Sequence, residues 1–307
     1  MSSPVILTVK GRRVRARIEG DRQKPPVLLL HGIGRSLEDW AEQFVRLSGS
    51  YRLIALDLPG SGFSERLPEA TSLPVLASAV LETLDAVSET RAVHVVGNSL
   101  GGAVAMQIAA ARPDRVASLV LVDSAGFGSE VILPLRLMTL PGLGGLLTKH
   151  PTAASARMLE RMSLADPSLI TAARVEHALA IARQPDTAAV MVETARSLAT
   201  IRGVKEKWRS ELLNNVAALR LPTLVVWGDH DRVLPSSHLR TARKAFPHAE
   251  VRLFPDVNHM PQIEIPDQFA ERVSHFLDGV ADRDVPVSGA PQTLEVSHPG
   301  FDAYPVI

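Results

Sequence analysis

The chain contains no cysteine, which excludes disulfides, thiolate nucleophiles and cysteine-ligated zinc or iron–sulfur centres. It has no excess charge of either sign, with 33 Lys and Arg against 33 Asp and Glu. A partner such as nucleic acid or an anionic membrane would need a concentrated basic surface, and this balance offers none. Nowhere is there an apolar run of roughly 18 residues, the length that suggests a membrane span. Near the N-terminus the only apolar run is Val5 to Val9, with no charged region ahead of it. That run is too short for a signal peptide, so a soluble cytoplasmic protein is expected. What is present is 307 residues, 46% apolar and 21% charged, enough for one large core or a core with an inserted second domain.

The first element reads as a hairpin: VILTV, a Lys10-Gly11 turn, then Arg13 to Ile18 with basic and apolar residues alternating. Arg12, Arg13, Arg15 and Arg17 invite a polyanion reading, but their alternation points to a solvated strand face. Short apolar runs follow at Val27–Leu30, Leu53–Leu56, Val93–Val96, Leu119–Val122, Thr223–Trp227 and Val251–Phe254. Such runs read as strands buried on both faces of a parallel sheet. Helical periodicity lies between them. Ser36 and Asp39 are spaced as a capping box before Trp40, Phe44 and Leu47. Ser72 and Pro74 open a helix, Leu100 to Ala111 form another, and Pro266 begins the last. Strands alternating with helices give the α/β class.

The alternation stops after Asp123. Residues 126–216 read as helices punctuated by prolines, and the strand pattern resumes at Thr223. The expected organisation is a core over 1–125 and 217–281, an inserted helical cap over 126–216, and a mobile tail over 282–307 that is rich in Pro, Gly and Ser.

The sharpest chemical signal is Gly97-Asn98-Ser99-Leu100-Gly101, between the strand VHVV and the helix AVAMQIAAA. This is G-x-S-x-G in its strand–turn–helix context, where the glycines make room for a strained turn that presents the serine hydroxyl. The helix N-terminus beneath offers free N–H groups to a developing oxyanion. A serine alcohol needs a base, and the base needs an orienting acid. Both follow in that order, in loops after strands: Asp231 in GDHDRVLP and His259 in NHMPQ. Asp123, ending LVLVD, is the rival acid. His94 reads as a core residue, while His230 and His238 read as loop or surface residues. His31-Gly32-Ile33-Gly34 after VLLL supplies a turn whose Ile33 N–H can join that of Leu100 in an oxyanion hole, with His31 bracing the loop. Asp57-Leu58-Pro59-Gly60-Ser61-Gly62 reads as a shaped turn; no dinucleotide or Walker pattern accompanies its glycines.

Taken together, HGIG, DLPGSGFS, GNSLGG, GDHDRVLP and NHMPQIEIPDQF resemble the motifs of the α/β-hydrolase superfamily over residues 1–281. The resemblance implies a mostly parallel sheet with helices on both faces and a helical cap. GNSLGG is similar to the elbow of meta-cleavage product hydrolases, which split carbon–carbon bonds, and a second resemblance is to carboxylesterases and lipid hydrolases with a helical lid. Where the former carry a tryptophan after the histidine, this chain has Met260, and where such families have a glycine before it, this chain has Asn258. The expected activity is hydrolysis of an ester or thioester with a large apolar part by Ser99, His259 and Asp231, with Ile33 and Leu100 as the oxyanion hole. Gly32, Gly34, Asn98, Leu137, Met138 and Met260 are the expected substrate-binding residues. No metal or organic cofactor is expected. The expected partner is a small apolar carbonyl substrate, with no nucleic acid and no membrane span; homo-oligomerisation stays open. The alternatives are a carbon–carbon bond hydrolase and a non-catalytic ligand receptor.

Overall fold

A computed structural model describes residues 2–284, with side chains as far as residue 281. The strands are β1 (Val5–Val9), β2 (Arg12–Glu19), β3 (Pro26–Leu30), β4 (Arg52–Leu56), β5 (Val93–Asn98), β6 (Val116–Val122), β7 (Ala199–Thr200), β8 (Gly203–Val204), β9 (Thr223–Gly228) and β10 (Glu250–Phe254). Eight of them form one sheet in the order β1-β2-β4-β3-β5-β6-β9-β10, and β7 pairs with β8 alone. The β1–β2 and β2–β4 pairs are antiparallel and the other pairs of the large sheet are parallel. The first hairpin turns as its sequence expects: Lys10 and Gly11 both have positive φ, 48° and 80°, the conformation of a two-residue type I′ turn.

Three helices precede β6: α1 (Ala41–Leu47), α2 (Leu73–Ala86) and α3 (Leu100–Ala111). Between β6 and β9 lie α4 (Leu133–Leu137), α5 (Leu143–Thr148), α6 (Ala153–Ser163), α7 (Ala172–Ala182), α8 (Thr187–Leu198) and α9 (Glu206–Leu219). The chain continues through α10 (Leu239–Ala245), α11 (Pro261–Glu264) and α12 (Pro266–Asp284). Alternate residues of each central strand enter opposite cores. Leu28, Leu30, Val95, Leu119, Leu121 and Val225 meet α2, α3 and α9. Val27, Leu29, Val96, Val120, Val122 and Val226 meet Phe44 of α1 and Phe269, Val273 and Phe276 of α12. Apolar residues buried on both faces are why the strand runs read as continuous apolar text.

Several expectations are revised. The final strand β10 is an edge strand paired only with β9, and Leu253 is 42% exposed. Ser36 makes no capping bond; its hydroxyl goes to Glu38 and His177 instead, while Asp39 is taken by Arg35. The basic strand is not a solvated face. Arg12 pairs with Glu82, Arg15 with Glu38 and Asp57, and Arg17 with Glu19 while lying 4.0 Å from the centre of the Phe44 ring. His238 is buried beside Trp227, not superficial, and burial pushes its pKa below the ordinary imidazole value. Helix α9, which the sequence places mostly in the inserted segment, contributes Leu212, Leu213 and Val216 to the main core. The tail expectation lies outside the described residues, except that the helix backbone runs on to Asp284. Among the described residues no helix is long and apolar enough to cross a membrane.

Candidate active site

The candidate residues follow the C-terminal ends of β3, β5, β6, β9 and β10, and the strand order reverses at β3, the kind of place where open α/β sheets hold their ligands. Ser99 sits between β5 and α3 with φ 55° and ψ −115°, a strained backbone for a residue with a side chain. Two glycines permit that turn. A Cβ on Gly97 would lie 2.3 Å from the Gly101 carbonyl oxygen, and one on Gly101 would lie 2.2 Å from that of Leu30. Leu100 is the first residue of α3, so its N–H has no partner within the helix. Among the described residues neither that N–H nor the N–H of Ile33 finds an acceptor.

The Ile33 turn is braced from below. Buried His31 donates from Nδ1 to the Gly32 carbonyl at 2.7 Å and accepts at Nε2 from the Leu58 N–H at 2.9 Å. These two bonds fix a neutral tautomer. Asp57 holds the neighbouring turn by accepting from the N–H groups of Leu37 and Phe63, both at 2.8 Å.

His259 Nδ1 lies 2.8 Å from Asp231 Oδ2, while Asp231 Oδ1 accepts from the N–H groups of Val233 and Leu234 at 2.7 and 2.9 Å. With Nδ1 engaged, Nε2 is the nitrogen left for a proton. His259 and Ser99 line the same cavity without a direct hydrogen bond between them, and such bonds commonly tighten only when substrate binds. The rival acid is close but differently used. Asp123 has φ 42° and is fully buried, and its Oδ1 accepts from the Gly228 N–H at 2.8 Å. Its Oδ2 has no partner of the usual kind. Burial, then the charge of Asp231, pushes the Asp123 pKa well above the ordinary carboxyl value. Asp123, Asp231 and His259 have ligand atoms within 4.8 Å of one another, a spacing that could hold a metal. Asp231 and Asp123 Oδ1 already accept from the imidazole and backbone N–H groups, while Asp123 Oδ2 has no partner among the described residues.

The other expected residues divide. Gly32, Gly34, Asn98, Met138 and Met260 line the cavity at Ser99, whereas Leu137 does not. From this stretch Pro134, Leu135 and Met138 supply the wall. Asn98 also ties the elbow to the histidine loop, its Nδ2 donating to the His259 carbonyl at 3.0 Å. Residues not expected from the sequence complete the walls: Arg35, Met162, Thr187, Met191 and Val233. Glu264 was likewise unmarked, yet its carboxylate accepts from the N–H groups of Asn258, Met260 and Ala165. Asn258, the departure noted in the sequence, accepts from the Arg232 N–H and donates to the Met162 carbonyl. It therefore links the loop of Asp231, the loop of His259 and helix α6.

A family model described as the alpha/beta hydrolase fold matches residues 25–266. The chain belongs to the α/β-hydrolase family. This hydrolase is 34% identical over 275 residues to the dihydrolipoyllysine-residue acetyltransferase component of an acetoin cleaving system from Pseudomonas putida, covering 90% of this chain and 69% of that protein. It is 31% identical over 257 residues to Lipase 1 of Psychrobacter immobilis, covering 82% of this chain and 76% of the relative. Among solved structures, a meta-cleavage product hydrolase from Pseudomonas fluorescens IP01 superposes with TM-score 0.75 at 26% identity, over 90% of this chain and 97% of that one.

Proposed function

We propose that this hydrolase cleaves an ester or thioester of a largely apolar substrate through Ser99, His259 and Asp231, beneath a cap built from α4 to α8. The observation that carries the reading is Ser99 on a positive-φ elbow, in one cavity with an imidazole whose far nitrogen is bound to a buried carboxylate. In this reading Ser99 Oγ attacks the carbonyl carbon as its proton passes to His259 Nε2. The N–H groups of Leu100 and Ile33 receive the oxyanion, and Asp231 stabilises the imidazolium. The imidazolium then returns its proton to the departing alkoxide or thiolate. Water, deprotonated by the same imidazole, releases the acid from Ser99. No step calls for a metal or an organic cofactor. Carbon–carbon hydrolysis of an anionic dienoate is the weaker reading, because Arg35, the cation of the cavity wall, is already neutralised by Asp39 and Glu160.

The test is a fluorophosphonate followed by peptide mass spectrometry. One adduct on Ser99, absent from Ser99→Ala, is expected together with turnover of p-nitrophenyl esters. Adducts elsewhere in an ester-active preparation overturn the assignment. No adduct and no turnover favour a ligand receptor.

A further inference from the structure

Two cavities border Ser99, with Ile33, Leu135 and Val233 also common to both. The first, about 120 Å³, is also walled by His259 and Asn98. The second, about 60 Å³, is walled by Leu100, Ala125, Leu198 and Trp208 and by no residue of the histidine loop.

Accepting the Ser99 mechanism proposed above, on which this inference rests, the chemistry decides which part of a substrate enters which cavity. The carbonyl oxygen must meet the N–H groups of Leu100 and Ile33, and the leaving oxygen must lie within reach of His259, which protonates it. The leaving group therefore extends into the cavity that His259 borders. The acyl chain extends away from His259, into the cavity beside Leu100. That acyl cavity is less than half the volume of about 150 Å³ that accommodates a benzene molecule in a protein interior.

The leaving-group side is built differently. Met138, Met162 and Met191 line both the first cavity and a third one of about 340 Å³. The third cavity reaches Leu147 and Met158, which are 53% and 57% exposed. An apolar path thus runs from His259 between the helices of the proposed cap to the surface. Five of the seven methionines of the chain border these two cavities. Flexible thioether walls suit a long chain better than one rigid shape.

We infer that the preferred substrates join a compact acyl group, of roughly two to four carbons, to a long apolar alcohol or thiol. The length specificity of the enzyme lies in the leaving group.

The experiment uses the full chain and two ester series: p-nitrophenyl esters from acetate to octanoate, and acetates of straight-chain alcohols from ethanol to decanol, the second followed by acid release. The expected kcat/KM falls steeply beyond butyrate in the first series, by roughly tenfold or more for a methylene that the cavity cannot take. In the second series it rises with chain length. Leu198→Ala, which enlarges the acyl cavity, is expected to shift the fall toward hexanoate. A preference for octanoate over butyrate, or indifference to alcohol length, overturns the inference while ester turnover and Ser99 labelling uphold the hydrolase reading. Failure to turn over any ester also overturns it, and labelling of Ser99 in that case keeps the nucleophile assignment standing.

Discussion

Two buried carboxyl groups stand behind His259, and their surroundings assign them different tasks. Asp231 accepts from two backbone N–H groups and from the imidazole. Asp123 receives one N–H, and burial together with the neighbouring charge raises its pKa well above the ordinary carboxyl value. A neutral Asp123 can donate to Asp231 as an amide would. Asp231→Asn is therefore expected to cost roughly 10⁴ in turnover by stabilising the wrong imidazole tautomer, and Asp123→Asn far less. Ester turnover by the two folded variants checks this, and a larger loss at Asp123 would move the acid to β6. The raised pKa of Asp123 also has a stability sign. Between the unfolded value, about 4, and the raised native value, the native state binds more protons than the unfolded state, so stability falls as pH rises through that window. Asp123→Asn removes this slope. Its Tm relative to the parent protein should climb from pH 4 toward pH 8, and a constant difference across that range would show that Asp123 is not proton-loaded. At this scale the sequence reveals residues that announce themselves by motif and neighbours, such as Ser99 and His259. It leaves Asp231 and Asp123 competing, because only the fold brings both carboxyl groups beside one imidazole.

The histidine loop is held by an element of the proposed cap as well as by the sheet. The end of α6 gives the Ser163 carbonyl to the His259 N–H at 3.1 Å and the Met162 carbonyl to Asn258 Nδ2 at 3.0 Å. Helix α6 cannot withdraw without disturbing His259. On the opposite wall Met138 is buried against Val192 and Ala195 of α8 and faces the cavity. Replacing Met138 by tryptophan should narrow the path to the surface, so long apolar esters lose kcat/KM more than ethyl acetate does. Burial of about 0.8 kcal/mol per methylene is what the blocked path forfeits. Profiles of unchanged shape would remove Met138 from the wall. The elements themselves were legible where a pattern repeats. Apolar runs gave the central strands, and Leu100–Ala111 was delimited by the elbow before it and Arg112-Pro113 after it. What stayed hidden depends on distant partners. The Arg residues of β2 are charged, yet acids from α2 and from the loops after β3 and β4 draw Arg12 and Arg15 into contact. Ser36 forsakes its own helix because His177 and Glu38 lie within reach. Helix α9 carries the same kind of apolar stripe as its predecessors, and only packing shows that its stripe serves the main core.

For the molecule as a whole, a net charge of zero conceals ions that are spent internally, several of them fastening the helices between β6 and β9 to the core. Arg35, after β3, forms a two-bond pair with Asp39 and reaches Glu160 of α6; Arg174 of α7 lies 3.3 Å from Glu160 and 3.9 Å from Asp39. Glu160 and Asp39 are almost fully enclosed. Beside them, burial would raise the pKa of Glu38, but hydrogen bonds from His177, Arg15 and Ser36 hold it far below the ordinary value. A second fastening joins Arg66 to Glu193 of α8 at 3.0 Å. Two cations against two anions make the Arg35 cluster neutral, and the loss of one member leaves an uncompensated buried charge. Glu160→Gln is therefore expected to destabilise the protein by roughly 3–5 kcal/mol, measured by denaturant unfolding. Because the cluster joins α6 and α7 to the loop after β3, amide exchange should accelerate in those two helices before it does in β5 and β6. The double replacement of Arg35 and Glu160 by Met leaves Arg174 opposite Asp39 and restores neutrality. It should recover most of the lost stability, since a buried pair is often worth little more than apolar groups of similar volume. A Glu160→Gln protein within about 1 kcal/mol of the parent, the span of an exposed ion pair, would show that the cluster adds no more than surface charge. A double variant no better than the single would show that the side chains are needed for their shape and not for their charge balance.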